Sequence, residues 1–123
     1  MTLKSWMLIA LGGGFGALSR YSLSVVLLHE GVFPIATLLV NFIGCALLPF
    51  VFFHRQREMT LLVGTGFFGS FTTFSTFSLE SMNLLMEKQY MLFSLYTSLT
   101  IIGGVVLSAI SFTIIMKKGG KRK

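Results

Sequence analysis

Four apolar runs take up nearly the whole chain: Ser5–Leu28, Pro34–Phe53, Met59–Met86 and Met91–Met116. The joints between them are short and polar, "HEGVF", "HRQRE" and "EKQY". Each run meets the roughly 20 residues that a helix needs to cross a bilayer, and the third and fourth exceed it. Only 11% of the residues are charged and the mean hydropathy is +0.82, whereas soluble domains carry about 25% charged residues. A helical bundle satisfies every backbone hydrogen bond that lipid cannot. The expected fold class is therefore an all-α membrane protein of one domain, residues 1–123. Its transmembrane helices are expected at about 5–28, 34–53, 59–86 and 91–116, followed by a basic tail at 117–123.

The N-terminal run could imitate a signal peptide, since Lys4 precedes "WMLIALGGGFGAL". Its apolar core continues past Arg20 into "YSLSVVLL" and no small-residue cleavage site closes it, so it reads as a retained first helix. The single cysteine, Cys45, lies within the second run and allows no internal disulfide.

The net charge of +6 is unevenly placed. With four crossings, Lys4, Arg55, Arg57, Lys117, Lys118, Lys121, Arg122 and Lys123 share one face, Lys88 stands alone on the other, and Arg20 lies inside a span. The positive-inside rule puts both termini in the cytoplasm of a cell membrane. The basic tail reads as a topology anchor meeting anionic lipid rather than as a nucleic-acid contact.

Soluble catalytic chemistry has little to draw on. There is no aspartate, the four glutamates are Glu30, Glu58, Glu80 and Glu87, and His29 and His54 fall in joints on opposite faces. No metalloprotease pair, zinc cluster or Walker loop can be assembled. Gly12-x-Gly14-x-x-Ala17 echoes a dinucleotide turn but has no preceding strand. The chain is not expected to be an enzyme.

Polar chemistry within the spans is more informative. Gly12 with Gly16, and Gly13 with Ala17, are spaced for close helix packing. Arg20 either snorkels to an interface or marks a cavity or pore. Thr37, Asn41 and Cys45 form a polar stripe on the second helix, and Tyr96, Thr100, Gly104 and Ser108 form one on the fourth. Either stripe alone is explained by helix packing; together with a hydroxyl-rich third span they resemble the lining of a narrow wet path.

That third span contains "GFFGSFTTFSTFS", Gly66 to Ser78. Gly64, Gly66 and Gly69 weaken the first half, and Thr72-Thr73 compete for backbone hydrogen bonds, so the helix is expected to break near Gly69–Thr73. Broken membrane helices expose carbonyls at mid-depth that hold ions, with a partner chain or water as the alternative. Phe74 and Phe77, three residues apart, share a helix face, and aromatic edges carry positive character suited to an anion. Ser75, Thr76 and Ser78 add hydroxyl donors. Phe67 and Phe68 read as packing.

The segments "GGGFGALSRY", "TLLVNFIG" and above all "GSFTTFSTFSLE" resemble the Fluc or CrcB family of small bacterial fluoride channels, and the likeness spans essentially the whole chain. The resemblance implies a passive fluoride-selective channel that lowers fluoride toxicity, working as an antiparallel dimer with two pores. It implies that Phe74 and Phe77 contact fluoride, that Asn41 is a pore amide, and that Ser75, Thr76 and Ser78 form the hydroxyl track. Thr37, Tyr96 and Thr100 would line the path, and Arg20 would be the vestibule cation. Gly69 and Thr72 would offer backbone carbonyls to a central structural sodium ion. An antiparallel homodimer needs one sequence to insert both ways, which the one-sided charge disfavours. The expected partner is accordingly an oppositely oriented homologue, with a homodimer as the alternative. Rival readings are a small multidrug-type proton-coupled exporter, for which the first helix lacks a carboxylate, and a non-conducting membrane assembly subunit.

Overall fold

The computed structural model describes residues 1–27, 32–53 and 56–119. The joint residues His29, Glu30, His54 and Arg55, and Lys121, Arg122 and Lys123 of the basic tail, lie outside the described residues. Described secondary structure is entirely helical. We label the elements α1 (Leu3–Val26), α2 (Ile35–Phe53), α3 (57–71), α4 (Phe74–Met86) and α5 (90–119), with α3 and α4 together filling the third apolar run.

Local chemistry sets these boundaries. Thr2 caps α1 by accepting from the Ser5 N–H, satisfying one of the orphan donors of a helix start. Pro34 precedes α2, at the helix edge where a missing N–H costs nothing. At the other end of α4, Gln89 N donates to Leu84 O at 2.8 Å and Lys88 N to Leu85 O at 3.0 Å. This is a Schellman closure, and it drives Lys88 to φ 60°, a conformation usually left to glycine.

Two helices, Ile35–Phe53 and Tyr90–Lys118, are continuous, long and apolar enough to cross a membrane, each with a mean hydropathy of 2.3. α1 has 24 residues, about 36 Å of helix. α3 contains π-helical turns over Thr60–Phe68, and α5 over Leu99–Gly103. Such wide turns are uncommon and recur at functional sites.

α1 packs along α3 backbone to backbone. A Cβ on Gly12 would collide with the Leu62 carbonyl oxygen, and one on Gly16 with that of Phe67. Gly66 returns the contact, since its Cβ would stand 2.7 Å from Ile9 O. Of the small residues spaced four apart, Gly12 and Gly16 form the seam and a Cβ on Gly13 would stand 3.2 Å from Ser70 Oγ, while Gly14 faces open space. α2 packs along α5, and Lys4 Nζ meets the Glu58 carboxylate at 2.5 Å, which brings the starts of α1 and α3 to one end.

The buried interior is divided. One cluster gathers Leu38, Phe77, Leu84 and Tyr96; a second gathers Val40, Phe68 and Phe71, against which Phe67 stacks. Phe67 and Phe68 are thus packing residues. Much of the remaining apolar surface is exposed, including Phe15, Val26, Ile102 and Phe112. A soluble domain seldom exposes contiguous apolar surface of this extent; for a chain of spanning helices it is the face offered to lipid or to another chain.

Candidate functional site

The helical path stops at Phe71 and restarts at Phe74. Thr72 (φ −76°, ψ 154°) and Thr73 (φ −147°, ψ 121°) between them are extended. Asn41 on α2 meets this step squarely. Its Nδ2 donates to Thr73 O at 3.0 Å, and its Oδ1 accepts from Thr73 N at 2.8 Å. The carboxamide thereby replaces the Gly69 carbonyl as partner of the Thr73 N–H and adds a donor to the Thr73 carbonyl, which as N-cap already starts the next helix. Thr73 in turn caps α4, its Oγ1 accepting from Thr76 N at 3.2 Å.

Two concavities flank this step and share Thr73 as a lining residue. The first, about 310 Å³, joins Arg20, Thr37, Thr73, Thr76 and Glu80 beside the start of α2. The second, about 480 Å³, joins Asn41, Thr72, Thr73, Phe74, Phe77 and Thr100, toward the other end of α2. Arg20 is half-buried, and its Nε donates to Ser70 O at 3.2 Å, one residue from the end of α3. It reaches the helix step rather than only an outer interface.

The two phenylalanines lie close, ring centroids 5.8 Å apart and tilted by 40°, but they differ sharply in burial. Phe77 is 8% exposed and packs on Tyr96, whereas Phe74 is 79% exposed and projects away from the fold. A shared helix face therefore places one ring in the core and the other in the open.

The hydroxyls look like a uniform track in the sequence, but their hydrogens are unevenly committed. Thr72 donates to Phe68 O, Ser78 to Phe74 O and Thr100 to Tyr96 O, all back-bonds within their own helical turns. Thr37 donates to Glu80 Oε1 at 2.8 Å and Tyr96 to Glu80 Oε2 at 2.7 Å. Thr73 Oγ1 donates to Thr76 Oγ1 and lies 3.3 Å from the Ser75 hydroxyl. With its one hydrogen given to Thr76, Thr73 Oγ1 accepts from Ser75, so the groups left able to donate outward are the second Asn41 N–H and the Thr76 hydroxyl. Tyr96 is fully buried, and Ser75 and Ser78 lie on the exposed face; none of the three lines either of these two concavities.

Glu80 belongs to neither polar stripe. It is half-buried, it lines the first concavity, and two hydroxyls from α2 and α5 converge on it. The available signal was its position, since it is the only carboxylate inside an apolar run away from the run ends. The carbonyl pair Gly69 and Thr72 stands at the same step. In an unbroken helix the Thr73 N–H would point at Gly69 O, but here it goes to Asn41. A Cβ on Gly69 would meet nothing within 4 Å, so the space beside its Cα is open.

Residues 7–112 match the family model described as "CrcB-like protein, Camphor Resistance (CrcB)". The chain belongs to the CrcB family. Among curated CrcB-like relatives, it is 41% identical over 118 residues to "Fluoride-specific ion channel FluC 1" of Bacillus cereus (strain ATCC 10987 / NRS 248), covering 89% of this chain and 85% of the relative. Bacillus thuringiensis subsp. konkukian (strain 97-27) has two such relatives. Its "Fluoride-specific ion channel FluC 2" is 44% identical, covering 93% of this chain and 96% of the relative. Its "Fluoride-specific ion channel FluC 1" is 39% identical, covering 89% and 85%.

Proposed function

We propose that this chain is a subunit of a passive, fluoride-selective channel in the bacterial cell membrane, exporting cytoplasmic fluoride. The observation that carries the reading is the step at Thr72–Thr73. There a tilted pair of rings, Phe74 and Phe77, stands beside the Asn41 amide and the uncommitted Thr76 hydroxyl, between two concavities. Ring edges and neutral donors stabilise a small hard anion without the competing charge of a fixed cation. The names of the CrcB relatives supply the anion.

In this reading residues 1–123 form one transmembrane domain of four spans, the third a discontinuous helix made of α3 and α4. Both termini are cytoplasmic, because with four crossings eight Lys and Arg fall on their side and only Lys88 on the other. Arg20 and the first concavity then form an outer vestibule that lowers the cost of bringing an anion to mid-depth. A negative-inside potential drives fluoride outward by about 2.3 kcal/mol per elementary charge per 100 mV.

A second chain completes the path. Phe74, at 79% exposure, has no wall opposite it within its own fold, and the crevice beneath it is open. The one-sided charge favours an antiparallel heterodimer with an oppositely biased homologue, consistent with two relatives in one strain. The carbonyls of Gly69 and Thr72 at the helix step would supply the hard oxygen donors that suit a sodium ion. Paired with the same atoms of the second chain, they would hold that ion as a structural cation between the two helix steps.

Expression in a bacterium lacking fluoride export, alone and with an oppositely charged relative, tests the proposal. Growth on fluoride should be restored by the chain alone or by the pair. Continued sensitivity in both strains despite membrane insertion would overturn it.

A further inference from the structure

α2 carries a proline in its interior, Pro49, one turn before its end. Proline has no N–H, and its ring crowds the carbonyl four residues back. In α2 that carbonyl belongs to Cys45, which is left without a donor from its own helix. In a bilayer such groups are made good by neighbouring helices and hydroxyl side chains. Here α5 provides the donor: Ser108 Oγ donates to Cys45 O at 3.1 Å. One turn further, the buried Ser111 donates through Oγ to the next carbonyl, Ala46 O, at 2.7 Å.

The approach of the two helices is built for this contact. A Cβ on Gly104 would lie 3.3 Å from Cys45 Sγ, and one on Gly103 would lie 2.6 Å from the Phe42 ring. Glycines at these places let α5 come close to α2, where a Cβ would press on the Cys45 and Phe42 side chains. Cys45, Pro49 and Ser108 also line the crevice that contains Asn41, Phe74 and Phe77.

We propose that Ser108 and Ser111 are positioning residues, a latch that satisfies the carbonyls around the Pro49 defect and holds α2 and α5 together as one wall of the crevice. Their hydroxyl hydrogens are consumed by backbone carbonyls, which removes Ser108 from the set of donors open to an anion. The consequence for transport rests on the channel reading; the latch itself does not.

Dependence on Pro49 is the distinguishing property. Pro49→Ala restores the N–H that Cys45 O lacks, so the latch becomes redundant in that background. Cys45 is the only cysteine, and its rate of modification by a small membrane-permeant maleimide reports how tightly the seam is closed. In the otherwise native chain, Ser108→Ala should speed labelling and slow fluoride efflux by roughly two- to tenfold, the span of one hydrogen bond. In the Pro49→Ala background it should change neither. Ser108→Thr, which keeps the hydroxyl, should behave as the parent, and Ser108→Val, of similar shape, as the alanine variant. Equal effects of Ser108→Ala in both backgrounds, or a threonine variant as impaired as the valine, would overturn the latch. A parent that carries no fluoride would overturn the channel reading instead, and the labelling rates would still decide the latch.

Discussion

Asn41 replaces a stretch of helix for Thr73, donating to its carbonyl and accepting from its N–H through one carboxamide. Removing the amide leaves the Thr73 N–H without a partner in the interior of the fold, at about 1–3 kcal/mol, and takes one donor from the Thr73 carbonyl. Asn41→Ala should therefore lower both the melting temperature in detergent and fluoride efflux. Asn41→Asp keeps the acceptor but sets a carboxylate against Thr73 O and the anion path, and should abolish efflux at neutral pH. Native efflux in the aspartate variant would remove Asn41 from the path.

Phe74 and Phe77 are neighbours with opposite burial, so their substitutions should separate stability from transport. Phe74→Ile changes an exposed ring and should leave the melting temperature of the isolated subunit unchanged while sharply reducing fluoride flux. Phe77→Ile disturbs packing on Tyr96 and should cost about 1 kcal/mol as well as flux, the usual toll of a shape change in a core. Paired efflux and unfolding measurements check both. Full transport in either variant would return that ring to packing.

Glu80 receives hydroxyls from two helices, Thr37 on α2 and Tyr96 on α5. Tyr96→Phe removes one donor, and a hydrogen bond to a charged acceptor is worth about 1.5–3 kcal/mol. Glu80→Gln turns one carboxylate oxygen into an NH₂ that faces a hydroxyl donor, so one contact becomes donor against donor unless that hydroxyl turns away. Both variants should unfold more readily and carry less fluoride, with the larger loss of flux in Glu80→Gln because Glu80 also lines the first concavity. Unfolding curves that overlay the parent's would show that the clamp contributes nothing.

Sodium provides a separate check on the ion-holding role proposed for the Gly69 and Thr72 carbonyls. Replacing it throughout by a large organic cation should slow efflux and lower the stability of the assembled dimer, and readdition should restore both. Insensitivity of both readouts to the cation would remove the proposed ion.

What the sequence made legible was periodic or compositional. The four apolar runs specified a helical chain, and the hydroxyls and phenylalanines after Gly69 marked the segment that carries the polar step. What it did not show were pairings between distant positions. Asn41 and Thr73 are 32 residues apart, and Thr37 and Glu80 are 43 apart. No helical period links such positions; only packing decides that the amide meets a backbone and that two stripe hydroxyls are spent on one carboxylate. Nor does a hydroxyl in a sequence reveal where its hydrogen points. Ser78 and Thr100 look like pore donors in the sequence yet donate to carbonyls one turn back. Pro49 was similarly silent until Ser108 and Ser111 were seen opposite it.

The most direct measurement is ion efflux from liposomes containing the purified chain, alone and mixed with an oppositely charged CrcB relative, read with fluoride and chloride electrodes. Rapid fluoride release is expected from the mixed preparation, with chloride retained and release lost on Phe74→Ile. Fluoride retained at the level of bare liposomes in both preparations, or chloride leaving as fast as fluoride, would contradict a fluoride-selective path beside these rings.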